Sequence, residues 1–174
     1  MNRLLIVGSG DIAARAMPWL RRRFRVYALV RSGDKAAAWR RLGAVPILAD
    51  LDCPASLKRL AGLASHVLHC APPAGDVTDD PRTRRLLAAL SQADSSPRVV
   101  VYVSTSGVYG DCAGALVSES RPARPTTLRG QRRLAAETCL RRFVRRAGCA
   151  LRILRAPGIY AAERLPLERL RRAE

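Results

Sequence analysis

The chain has 174 residues, 48% of them hydrophobic and 26% charged, a globular composition long enough to bury a real core, which excludes wholesale disorder and low-complexity scaffolding. Lysine and arginine total 31 against 14 acidic residues, a formal charge of +17. Because Lys35 and Lys58 are the only lysines, the excess reads mainly as arginine bias on solvated faces, and nucleic acid is not expected as a partner.

In chain order, short apolar runs alternate with helical intervals. Strands are predicted at residues 3–7, 25–30, 45–49, 66–70, 98–103 and 150–154, and helical intervals at 11–22, 34–42, 54–63, 80–92 and 128–147. Strands separated by helical crossovers imply an α/β fold, a doubly wound parallel sheet of about six strands with helices on both faces. Residues 4–7 and 99–103 are continuously apolar, the pattern of strands covered on both sides. One domain over residues 1–174 is expected, and residues 111–125, rich in Gly, Ser and Pro, read as a loop. No apolar run is long enough to span a bilayer and the N-terminus has no signal-peptide pattern, so a cytoplasmic protein without a membrane partner is expected. The five cysteines are odd in number and contain no CxxC pair, and His66 and His69 are the only histidines. Neither a disulfide framework nor a metal site is expected.

The first strand runs directly into Gly8-Ser9-Gly10-Asp11-Ile12-Ala13, a G-x-G-x-x-A loop opening a helix. Gly8 and Gly10 let the backbone turn and approach a pyrophosphate, Ala13 allows close helix–strand packing, and helix N–H groups face the anion. Asp11 reads as a helix-start residue turned away from the phosphates. The second strand ends at Arg31-Ser32 where a carboxylate would bind ribose hydroxyls. Arginine there pairs with a 2′-phosphate, so NADP(H) is favoured over NAD(H), with one more solvated arginine as the alternative. Asp50 and Leu51 follow the third strand and Ala71-Pro72-Pro73 the fourth, positions that would skirt the cofactor.

The segment Tyr102-Val103-Ser104-Thr105-Ser106-Gly107-Val108-Tyr109-Gly110, with Glu119, Glu137 and Leu154-Arg155-Ala156-Pro157-Gly158-Ile159-Tyr160, resembles the extended short-chain dehydrogenase/reductase family, the NAD(P)-dependent epimerases and dehydratases. The resemblance implies that Thr105 polarises a reacting oxygen, with Ser104 and Ser106 as neighbours, and puts Ser104, Arg133 and Pro157 among the cofactor contacts. It also implies a Tyr-x-x-x-Lys acid/base pair, but counting back from Glu137 those positions hold Arg129 and Arg133. Arginine stays charged and cannot shuttle a proton as tyrosine does; Tyr109 and Tyr160 are the nearby phenols, as acids or as packing residues. Family members carry further chain that builds a substrate lobe, so the sequence reads as truncated, lacking most of a substrate pocket.

The last third, from residue 121, carries fifteen arginines against four acids. The 128–147 helix holds seven of them, a solvated face with Glu137 able to pair within it; the resemblance implies a homodimer through this helix. The function expected is hydride-transfer chemistry on a sugar-nucleotide or small carbonyl substrate. The alternative is a non-catalytic dinucleotide-binding or redox-sensing module, and third comes a basic nucleic-acid-binding protein.

Overall fold

The computed structural model describes residues 1–74, 78–93, 95–165, 167 and 171–172. Apolar runs flanked by helix-starting residues fold into six strands: β1 (Asn2–Val7), β2 (Phe24–Val30), β3 (Val45–Leu48), β4 (His66–His69), β5 (Val99–Thr105) and β6 (Ala150–Ala156). All pair in parallel, in the order β3-β2-β1-β4-β5-β6. The order reverses between β1 and β4, where a doubly wound sheet opens a crevice at its carboxyl ends.

Four α-helices return the chain: α1 (Asp11–Leu20), α2 (Gly33–Arg41), α3 (Pro81–Leu90) and α4 (Leu128–Ala147). Ser32, Asp80 and Thr127 start the last three, each side-chain oxygen accepting from the N–H three residues on, of Lys35, Thr83 and Gly130. Gly148 stops α4 in the left-handed region at φ +64°, where a Cβ would be strained. Among the described residues no helix is long and apolar enough to cross a membrane.

Two cores lie on opposite faces of the sheet. Leu4, Ile6, Val26, Ala28 and Val30 pack under Ala13 and Met17 of α1 and Trp39 of α2. Leu5, Val7, Val67, Val100 and Tyr102 pack under α3 and α4. Strand alternation sends successive side chains of β1 to the two cores, so its continuous apolar run is buried on both sides.

Two expectations change. The interval 54–63 is a 3₁₀ segment, Pro54–Leu60, rather than an α-helix. Its buried residues, Leu57 and Leu60, are three apart, which matches three residues per turn. Strand β5, expected to be covered on both faces, alternates instead: Val100, Tyr102 and Ser104 are buried while Val99, Val101 and Val103 are half-buried. The reason is topological, since α1 and α2 lie over the β1–β2–β3 half, and those three valines do not join the core beneath them.

Candidate functional site

The carboxyl ends of β1 to β4 surround a cleft of about 530 Å³ lined by Gly8, Ser9, Gly10, Leu29, Arg31, Ser32, Lys35, Asp50, Leu51, Cys70, Ala71, Pro72 and Arg82. Its back wall is built by close backbone contact. The N–H groups of Cys70 and Ala71 both donate to the Val7 carbonyl, at 2.7 and 3.0 Å. A Cβ on Gly8, which sits at φ +95°, would stand 2.2 Å from the Ala71 nitrogen. Glycine is therefore required there by the protein itself. Gly10 is different. It precedes α1 with an extended backbone, and a Cβ would meet nothing within 4 Å, so the protein leaves open space in front of the helix N-terminus.

Cations gather at the rim. Arg31 and Lys35 are exposed and form no ion pair within 4 Å among the described residues. Arg82 is held in place: its guanidinium pairs with Asp52 and donates to the Pro72 carbonyl at 3.4 Å. The same contact holds the Asp52 carboxyl below the usual carboxylate range. Asp50 is anchored through its N–H to Ser56 Oγ at 2.9 Å, and its carboxylate accepts from the Asp52 N–H at 2.9 Å. In the wall, burial pushes the Cys70 thiol up to about 11, so it is a neutral wall group and no nucleophile.

A buried polar relay braces this wall. Asp80 accepts the Thr83 hydroxyl proton at 2.6 Å, and His69 Nε2 lies 2.9 Å from the same Thr83 oxygen. With that single proton committed to Asp80, Nε2 must carry a hydrogen and donate. Nδ1 is left bare, buried and without a partner among the described residues. Burial, opposed by the Asp80 charge, lowers the His69 pKa from 6.5 to about 4. A histidine whose folded pKa is lowered stabilises the fold fully above its unfolded value and loses that stability as pH falls, because the unfolded chain takes up the proton first. Stability should therefore drop by up to roughly 3 kcal/mol between pH ~6.5 and pH ~4 on this account. Urea unfolding at neutral and acid pH checks it: His69→Gln should lose less stability on acidification than the natural chain.

The second end of the sheet holds another arrangement. Beside β6 a cleft of about 890 Å³ includes Ser106, Tyr109, Glu119, Arg141, Arg155 and Pro157. The Arg155 guanidinium lies 4.7 Å from the centre of the Tyr109 ring and pairs with Glu137, which is fully buried. Glu137 takes Arg155 through both oxygens, at 3.1 and 2.7 Å, and accepts the Ser104 hydroxyl at 2.6 Å.

The expected site residues are thus distributed. Gly8, Ser9, Gly10, Arg31, Ser32, Asp50, Leu51, Ala71 and Pro72 line the first cleft, while Asp11, Ile12, Ala13 and Pro73 do not. Asp11 pairs with Arg15 at 3.0 Å on the outer side of α1, and Ala13 is fully buried in the core. Pro157 and Tyr109 line the second cleft. Thr105 lines neither; its hydroxyl oxygen accepts from the Gly107 N–H at 3.2 Å, which leaves the O–H proton to donate. Two expected contacts make hydrogen bonds within the protein. Ser104 is buried and spent on Glu137. Arg133 is buried, its Nη1 donating to the Val103 carbonyl at 2.8 Å, the Tyr102 hydroxyl at 3.1 Å and the Ala71 carbonyl at 3.5 Å. Arg133 Nη1 therefore ties the cleft wall to β5, while its Nε is buried without a partner among the described residues. Arg129 is exposed at the start of α4. Lys35 and Arg82 went unforeseen as cleft residues. Lys35 was in principle readable, one turn past Arg31 once Ser32 is seen as a cap; Arg82 reaches the cleft only through tertiary packing.

A doubly wound parallel sheet whose first strand runs into a glycine turn at the switch point is a dinucleotide-binding α/β fold of the Rossmann type. The chain belongs to the NAD dependent epimerase/dehydratase family, whose model matches residues 17–172. Solved structures similar to it include a functionally unknown conserved protein from Silicibacter pomeroyi, 30% identical with a TM-score of 0.72, and a putative NAD-dependent epimerase/dehydratase from Methylobacillus flagellatus, 27% identical with a TM-score of 0.76. The alignments cover 98% and 97% of this chain but 57% and 59% of those chains. UDP-glucuronic acid 4-epimerase from Bacillus cereus, in complex with NAD, shares the fold at 22% identity and a TM-score of 0.74, over 91% of this chain and 57% of its own. No curated protein sequence matches.

Proposed function

We propose that the chain binds NADP(H) with the adenosine end in the first cleft, and that any turnover is hydride transfer to or from a sugar-nucleotide or small carbonyl compound. The observation that carries this reading is the open space before Gly10 beside the unpaired Arg31 and Lys35. The residues present fit the group. The α1 N-terminus and the 8–10 turn would take the pyrophosphate, Arg31 and Lys35 a 2′-phosphate, and Leu29 and Leu51 the adenine face. When bound, the nicotinamide supplies hydride-transfer chemistry. Thr105 would donate its O–H proton to a substrate oxygen; neither Arg129 nor Arg133 can act as the proton shuttle, because arginine remains charged. Arg133 Nη1 in addition donates to Val103 and Tyr102.

Arginine at both 129 and 133 favours a second reading, a dinucleotide-binding or redox-sensing module without turnover. Titration with both cofactors and a carbonyl panel separates them. NADPH should bind at least about 10-fold tighter than NADH, and Arg31→Asp should abolish the difference. Equal affinities in the natural chain would remove Arg31 from the reading. Saturable binding without NADPH oxidation supports the module, and turnover that falls in Thr105→Val supports the enzyme.

A further inference from the structure

All six strands run in one direction and the helices return against them, so helices end and strands begin at the edge opposite the dinucleotide cleft. At that edge stand Arg21, Arg22 and Arg23 after α1, Arg40 and Arg41 closing α2, and Arg98 leading into β5, all exposed. Among the described residues none of the six has an ion pair within 4 Å. The acids of the described residues lie elsewhere: at helix starts (Asp11, Asp34, Asp79, Asp80), in the loops after β3, β5 and β6, and in Glu137, buried within α4. Among the described residues these cations and the acids are therefore sorted to different parts of the fold.

Compensation of helix dipoles accounts for cations in last turns such as Arg40, Arg41 and Arg145. It does not account for Arg98, nor for Arg3 and Arg25, which are exposed at the second positions of β1 and β2 and sit side by side in register. Along this edge from β3 to β6 the sheet crosses five strand spacings, about 24 Å at about 4.8 Å each, with the α1 and α2 arginines on one face and the α4 arginines on the other. That length matches on the order of seven phosphates along one duplex strand. At its margin Trp19 is 55% exposed, with the Arg23 guanidinium 4.3 Å from its ring centre, an arrangement able to extend stacking to an unpaired base.

We propose that this arginine row binds the phosphate backbone of nucleic acid, without base readout and independently of the dinucleotide cleft. Guanidinium forks engage phosphate oxygens in pairs, and a row of them suits a linear polyanion.

Fluorescence anisotropy with the full chain and a labelled oligonucleotide of about 20 nucleotides, single- and double-stranded, tests it at salt from about 50 to 200 mM. Binding should weaken with salt at a log–log slope of about −3 or steeper. Arg22→Glu/Arg98→Glu should weaken it at least about 10-fold, whereas Arg121→Glu/Arg124→Glu, the same charge change in the loop before α4, should move it less than about 2-fold. Retained NADPH binding and an unchanged thermal melt certify each variant as folded, and the salt slope of the natural chain stands as a test without any variant. Equal losses in the two variants, absent or salt-insensitive binding, or capture by phosphatidylserine vesicles with no oligonucleotide binding would each overturn the proposal.

Discussion

Gly10→Leu is expected to weaken dinucleotide binding by about 100-fold while lowering the thermal melt by only a few degrees, the cost of about 1 kcal/mol for a poorer helix cap. Gly10 has an extended backbone that any residue adopts, and a Cβ there meets no protein atom within 4 Å. A leucine side chain would fill the space through which a pyrophosphate reaches the first N–H groups of α1. Gly8→Ala should fail differently. At φ +95°, with the Ala71 nitrogen 2.2 Å from the new Cβ, the strand–turn contact with β4 must break, at a cost of at least about 3 kcal/mol. Side-by-side melts and NADPH titrations distinguish the two. A Gly10→Leu chain destabilised as much as Gly8→Ala, or one that binds normally, contradicts the assignment of that space to a ligand.

The second large effect lies in the buried charge cluster. Glu137→Leu should cost about 3–5 kcal/mol, because it leaves Arg155 without its countercharge and the Ser104 hydroxyl without an acceptor. Arg155 is half-buried and Glu137 is fully so. Their bidentate contact raises the Arg155 pKa, and arginine keeps its charge even when its partner is removed. The double variant Glu137→Leu/Arg155→Leu should recover a substantial part of the loss, since an apolar pair of similar size avoids the burial of a lone charge. Denaturant midpoints of the two single variants and the double variant give the coupling. Strict additivity would mean that the pair does not act as a unit.

Much of the sheet was readable because each strand is a short apolar run bounded by Gly, Asp or Ser, and because Gly8-Ser9-Gly10 follows β1 directly. The 3₁₀ segment was less so: a leucine spacing of three fits both helix types, and only packing decides. Ser104 and Arg133 illustrate a deeper limit. Their positions invite a cofactor role, yet what each side chain touches depends on Glu137, and the countercharge for Glu137 comes from Arg155, 18 residues on and in a different element. No local pattern links those residues. The same holds for the charge. Composition shows an arginine excess, but the placement of Arg3, Arg22, Arg25, Arg41 and Arg98 at one edge follows from the common direction of six strands, a property of topology.

The location of the dinucleotide is tested most directly by amide NMR of the labelled chain titrated with NADPH. Shifts should be saturable and concentrated at Gly8, Ser9, Gly10, Arg31, Ser32, Asp50 and Ala71, with Arg22, Arg41 and Arg98 unmoved. Saturable shifts at the arginine edge, or none at the 8–10 turn, would contradict dinucleotide binding at the switch point between β1 and β4.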